Sequence, residues 1–220
     1  MADSESQETI IDFEDDSDNV NSPKPLKRTR TKNSRTSNKK LNDSGFRRLA
    51  LSSKYIKSVS PHSIVLIKEF TDKYIILPII NDNIRTRMNT LDGRTNNKSK
   101  AYRIFNVDKL KQIAHKYVRY DVYNSTIRTQ VAFHPQSFRN YVNDKTNEIL
   151  LHENNFIKLQ WSSSCIELFQ QIVENELHLL LRICGDTMSY NNKETNKSYE
   201  KLRLMPKDIR MVFNARYVTK

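Results

Sequence analysis

The chain has 220 residues, 37 Lys and Arg against 25 Asp and Glu, and a formal net charge of +12. That length holds one or two small domains, and only 3 Gly and 6 Pro leave few of the residues that tight-turned β architectures need. No apolar run reaches the roughly 18 residues of a membrane span and no secretory leader opens the chain, so a soluble intracellular protein is expected; a pI near 9.6 points to an anionic partner, nucleic acid ahead of a membrane surface.

Residues 1–44 read as a tail. The first 19 carry 8 acids (Asp3, Glu5, Glu8, Asp12, Glu14, Asp15, Asp16, Asp18) and no base, whereas residues 24–40 carry 8 bases and no acid. Ser, Thr, Asn and Pro fill the gaps. Such a composition buries too little apolar surface to offset ordering entropy, so disorder is expected. The two blocks cancel, and the net charge therefore sits in residues 41–220, with 29 bases to 17 acids. The run Pro25-Leu26-Lys27-Arg28-Thr29-Arg30 suits a nuclear-import signal or a DNA-touching arm, and equally a solvated tail with no address function.

Residues 45–117 form a first unit. Ser44 is placed to cap a short helix carrying Phe46, Leu49 and Ala50. Ser60 followed by Pro61 marks a second helix start. Apolar residues then recur at helical spacing from His62 to about Leu91, with Pro78 inside the run, where it should kink or shorten the helix. A basic loop at 92–100 leads to a last short helix capped by Asn106. Residues 118–134 read as a connector. The second unit, 135–220, repeats the plan. A short helix holds Phe138, Tyr141 and Val142. A long one runs from Cys165 to Cys184, a polar loop covers 189–200, and a short helix starts at Pro206. Both cysteines fall on the buried face of the long helix and read as core residues, not as a disulfide or a metal site.

The run Leu202-Arg203-Leu204-Met205-Pro206-Lys207-Asp208-Ile209-Arg210-Met211-Val212 and the run "IKLQWSSS" at 157–164 resemble the C-terminal half and first loop of histone three. "FRRLALSSKYIKSVS" at 46–60 and "FNVDKLKQIAHKY" at 105–117 resemble the first helix with its loop, and the third helix, of histone four. Over residues 45–220 the chain resembles the fused histone four–histone three doublets of large DNA viruses of the Marseillevirus kind. The extra N-terminal helix of histone three is not evident. The resemblance implies an all-α protein, two tandem histone folds in one chain paired head to tail behind a disordered tail. It implies a core component of a nucleosome-like particle that compacts double-stranded DNA without sequence specificity, in a host nucleus or viral factory and in the virion. Implied partners are DNA, a histone-two-type doublet, and a second copy of the chain through residues 183–217.

Carried over by position, the implied DNA-facing residues of the first unit are Arg47, Arg48 and Lys57, and loop placement adds Lys54, Lys98, Lys100 and Arg103. In the second unit they are Arg128, Arg139, Lys158, Gln160, Ser162, Lys201 and Arg203. Each cation taken singly reads as a solvated surface charge; the pattern lies in their loop and first-helix positions. Ser58-Val59-Ser60 stands where the family has Arg before Ile-Ser, and Lys158 stands where it has Arg, so looser or shorter wrapping is expected. Lys201 replaces the Arg that pairs with the Asp matched here by Asp208. The five histidines are scattered without ligand spacing, and no Gly-rich phosphate loop occurs, so neither an enzyme nor a bound metal or cofactor is expected. The alternatives are a histone-fold transcription-factor subunit and a basic virion protein that coats DNA without forming a particle.

Overall fold

The computed structural model describes residues 40–89, 103–119, 131–153, 159–194 and 202–218, and these are mostly helical. Two halves share one order of elements. The first runs α1 (Asp43–Leu51), β1 (Ser58–Val59), a long helix, β2 (Arg103–Ile104) and α4 (Val107–Ala114). Its long helix consists of α2 (Pro61–Thr71), a π turn (Asp72–Ile76) and α3 (Leu77–Asn89). The second half runs α5 (Pro135–His152), β3 (Leu159–Gln160), α6 (Ser163–Glu194), β4 (Arg203–Leu204) and α7 (Pro206–Tyr217).

Local chemistry sets most of the helix starts. Ser60 Oγ accepts from Ser63 N at 3.1 Å, and Pro61 occupies the first helical position, where its missing N–H costs nothing. Asn106 accepts from the amides of Asp108 and Lys109. The first helix starts earlier than Ser44: Asn42 is its cap and accepts from Ser44 N at 2.9 Å. Asn caps as well as Ser, and starting at Asn42 places Asp43 in the first turn, favourable to the helix dipole. Asp43 also pairs with Lys68 of α2.

Pro78 neither ends nor breaks the long helix. The chain takes a π turn just upstream, where Leu77 N bonds to Asp72 O, and then resumes α geometry. A proline ring clashes with the carbonyl four residues back, here Tyr74, and the wider turn absorbs that clash. The second long helix also outruns its apolar stretch. It continues from Cys184 through Ser189 to Glu194, where a loop was expected from 189. Met188 and Ser189 are buried, so tertiary packing extends the helix into polar sequence. It spans 32 residues, or about 48 Å.

Each short helix packs on both long helices. Helix α1 touches α2 and α6, α5 touches α6 and α3, α4 touches α3 and α6, and α7 touches α6 and α2. Two parallel bridges close the arrangement. Ser58 and Val59 pair with Arg203 and Leu204; Arg103 and Ile104 pair with Leu159 and Gln160. In each bridge the strand after one half's first helix meets the strand before the other half's last helix. A three-helix half leaves one side of its long helix apolar, and crossing the halves buries both sides at once. One continuous core results, from Leu41 and Phe46 to Ile209 and Phe213.

Polar groups pin the halves at fixed points. The Tyr141 hydroxyl of α5 donates to Asp72 in the π turn at 2.5 Å, across the halves; within the first half Tyr117, just beyond α4, donates to Asp82 of α3 at 2.7 Å. The join between the halves is held by two buried carboxylates of α6. Glu174 accepts from the amides of Ala132 and Phe133, both at 2.9 Å, and from Gln170 Nε2 at 2.8 Å. Glu176 accepts from Arg119 N at 2.8 Å and from the Tyr217 hydroxyl at 3.0 Å, with Arg216 at ion-pair distance. Both described ends of the join are thus tied to one turn of one helix. Ala132 and Phe133 are themselves core residues, and Phe133 packs edge-on against Phe46 at 4.8 Å.

Candidate nucleic-acid interface

The sequence-assigned cations that fall among the described residues lie on or near the elements of the two strand bridges. At the β1–β4 bridge, Lys57 immediately precedes β1 and its amide donates to Leu202 O at 3.0 Å. Arg203 is the register partner of Ser58. Lys57 and Arg203 are both exposed, one residue apart in the register of the two paired segments. Lys54, also exposed, lies over the Tyr55 ring with its Nζ 5.4 Å from the ring centre. Arg47 and Arg48 sit on α1 and are exposed. Arg48 has a second occupation: its guanidinium donates to Ala132 O in the join between the halves.

At the β2–β3 bridge, Arg103 and Gln160 lie on neighbouring strands, one register step apart, and Gln160 is exposed. Ser162 begins α6: its Oγ accepts from Cys165 N at 3.2 Å, the work of a helix cap. Arg139 of α5 donates to Ser163 Oγ at 2.9 Å. An open polar hollow of about 350 Å³ lies here, lined by Arg139, Asn143, Asn147, Leu159, Gln160 and Trp161. Trp161 of this lining donates from Nε1 to Thr146 Oγ1 at 2.9 Å and stacks on Phe105 at 4.0 Å and Phe169 at 5.5 Å. That stack ties the bridge to the core.

Lys98, Lys100, Arg128, Lys158 and Lys201 lie outside the described residues. So does the expected pairing of Lys201 with Asp208. Asp208 accepts from Met205 N at 3.0 Å and so caps its own helix. The bridges together gather exposed cations, hydroxyls and the starts of α2 and α6. Such ends suit a polyanion, because helix N-termini attract phosphate and exposed Lys and Arg neutralise it. The start of α2 is less available than that of α6. Ser60 and Ser63 are both buried, and Ser63 Oγ donates to Leu204 O at 2.9 Å.

A different surface lies between the end of α6 and α7. There a largely apolar groove of about 250 Å³ is lined by Leu179, Leu180, Ile183 and Thr187 of α6 and Met211, Val212 and Ala215 of α7, together with Arg119, Glu176 and Arg216. Met211 is 47% exposed, a large apolar side chain left in solvent. Both cysteines are buried. Burial pushes the Cys184 thiol up to about 12 and raises that of Cys165, which makes them poor nucleophiles.

Glu174, Glu176 and Arg216 were not singled out from sequence. A signal for them existed: the Glu174-Asn175-Glu176 triplet interrupts an otherwise apolar stretch at core positions. Among the described residues no cluster of metal-ligating side chains occurs, and no helix is long and apolar enough to cross a membrane. No protein-family model matches the chain, and no curated protein matches it at a significant level.

Proposed function

We propose that this chain is a fused histone four–histone three doublet, two histone folds clasped within one polypeptide, that wraps duplex DNA without reading its sequence. The observation that carries the reading is the crossed pair of parallel bridges, with every short helix packed on both long helices. In such a clasp each bridge sets two loops side by side, and cations on both loops then face one stretch of phosphate backbone. In support, Lys57 and Arg203 lie on two segments that are paired here through their backbones. Contacts confined to phosphates and the minor groove carry no base specificity, as in the handling of DNA by histone octamers. No catalytic, metal or cofactor role is part of the proposal.

The reading extends to partners. A histone-two-type doublet would complete the particle, and the apolar groove of α6 and α7 would receive the same groove of a second copy. The groove's α6 and α7 lining, Glu176 to Arg216, overlaps the 183–217 region assigned from the resemblance. A host nucleus or viral factory, and the virion, remain the expected places of action.

The test is assembly on long duplex DNA with a histone-two-type doublet, followed by micrococcal nuclease. The expected outcome is a discrete protected fragment, near or below the roughly 147 base pairs of a nucleosome. It should dissociate at lower salt than a cellular particle, since Lys and Ser replace arginines in the first loops. A smear, with binding that only fades as salt rises, would leave a basic DNA-coating protein instead.

A further inference from the structure

We propose that the polar hollow beside the β2–β3 bridge is a binding site for a single unpaired nucleotide, with the phosphate on Arg139 and the base edge on the amides of Asn143, Asn147 and Gln160. The proposal adds to the duplex reading and does not require it, because a duplex keeps its bases paired and stacked inside.

One stripe of helix supplies half of the lining. Arg139, Asn143 and Asn147 follow one another at four-residue steps on α5, so they share a face over about 12 Å. Leu159, Gln160 and Trp161 complete the hollow. Arg139 stands at one end of the stripe, and the two asparagines lie one and two turns further on. A nucleotide has the same order, an anionic phosphate at one end and a hydrogen-bonding base edge at the other.

The three amides have no work in the fold. Among the described residues, the side chains of Asn143, Asn147 and Gln160 make no hydrogen bond. Gln136 and Asn140, also on α5, do bond to each other, at 2.8 Å. Asn is a poor helix former, so two of them on one stripe without a local bond add nothing to the helix. Arg139 is positioned without being used up. Its Nη2 donates to Ser163 Oγ at 2.9 Å, which leaves its other N–H donors for a ligand beside the start of α6, where an anion is favoured.

The lining narrows the ligand class. It is polar and, among the described residues, holds no carboxylate, so a lipid chain and a cation are both poor fits. A guanidinium suits a phosphate. Each amide offers a donor beside an acceptor and pairs with an edge of the same kind, such as that of adenine. A volume of about 350 Å³ lies in the range of small-molecule sites.

Trp161 is the chain's one tryptophan and lines the hollow, so its fluorescence reports occupancy. The full chain is titrated with deoxyadenosine 5′-monophosphate, and separately with inorganic phosphate and with deoxyadenosine. The nucleotide should give a saturable change below about 1 mM, and either part alone should bind at least about tenfold more weakly. Asn143→Ala combined with Asn147→Ala should weaken nucleotide binding at least about tenfold. The urea midpoint of that variant should be no lower than the parent's, because neither side chain has a partner to lose. Arg139→Gln should reduce the nucleotide to the level of deoxyadenosine. No saturable change, an equal response to inorganic phosphate, or unchanged nucleotide binding by the double variant would overturn the proposal. A single-stranded oligodeoxyadenylate that displaces the monophosphate would assign the site to unpaired strands, and one that does not would assign it to free nucleotides. Nucleotide binding without a nuclease-resistant particle would sink the duplex reading alone; a particle without nucleotide binding would sink this one alone.

Discussion

Glu174 shows how a single buried residue can hold two halves of a chain together. Its two oxygens accept from consecutive amides, Ala132 and Phe133, and no solvent replaces them if they are lost. Glu174→Gln keeps the size but turns one acceptor into a donor facing an N–H. The expected cost is about 1–3 kcal/mol, read as a lower urea midpoint with an unchanged slope. Asp72 poses the opposite problem. Burial raises its carboxyl above the ordinary aspartate range, against the lowering effects of the Tyr141 hydroxyl, Lys145 and Lys68. A carboxyl raised on folding binds its proton better in the folded state. Its contribution to stability is therefore greatest below the unfolded value near 3.8 and falls as pH rises through the folded value. Asp72→Asn keeps an acceptor for Tyr141 and removes that penalty. Thermal unfolding at neutral pH should show the variant at least as stable as the parent, with the advantage gone near pH 3; a variant clearly less stable at neutral pH would show that the ion pairs outweigh burial.

At the scale of elements, the π turn has two candidate causes, Pro78 and the core. Ile75 and Ile76 within the turn and Ile79 and Ile80 just beyond it are fully buried, as is Ile67 before it. Closing it to regular α geometry would rotate α3 by about 100° and carry Ile79 and Ile80 off the core face. The core therefore holds the register, and proline only tolerates it. Pro78→Ala should change stability by less than about 1 kcal/mol and leave the Tyr141–Asp72 bond in place, as seen by crystallography of the variant. A straight α-helix there would assign the turn to the proline. A similar close fit governs Gly45, where an added Cβ would overlap the Phe133 ring. That approach lets α1 lie against the join between the halves.

At the scale of the whole molecule, the groove between α6 and α7 is an apolar surface left uncovered among the described residues. On the proposed reading a second copy covers it. Met211 lies at the groove and is half in solvent, so Met211→Glu should leave the unfolding midpoint of the monomer within about 0.5 kcal/mol of the parent. The same change should abolish self-association in sedimentation equilibrium. A parent chain that stays monomeric at every concentration would remove the second copy from the proposal.

Helix positions, the long apolar faces, the caps Ser60 and Asn106, and the basic body were all legible in the sequence, because each depends on residues a few positions apart. The positions of Lys57 and Arg203 beside their loops could be read in the same way. Their pairing across 145 residues of chain, Ser58 on Arg203, belongs to the tertiary structure. So do the length of α6 beyond Ser189, the π turn, and the work of Glu174 and Glu176, since polar residues in a buried helix acquire their meaning only from what folds against them. Local propensity and periodicity reach about one helical turn along the chain. Which loop stands beside which, and hence which cations share one face, is decided by burying two apolar helix faces against each other, and that choice is made only when the halves close.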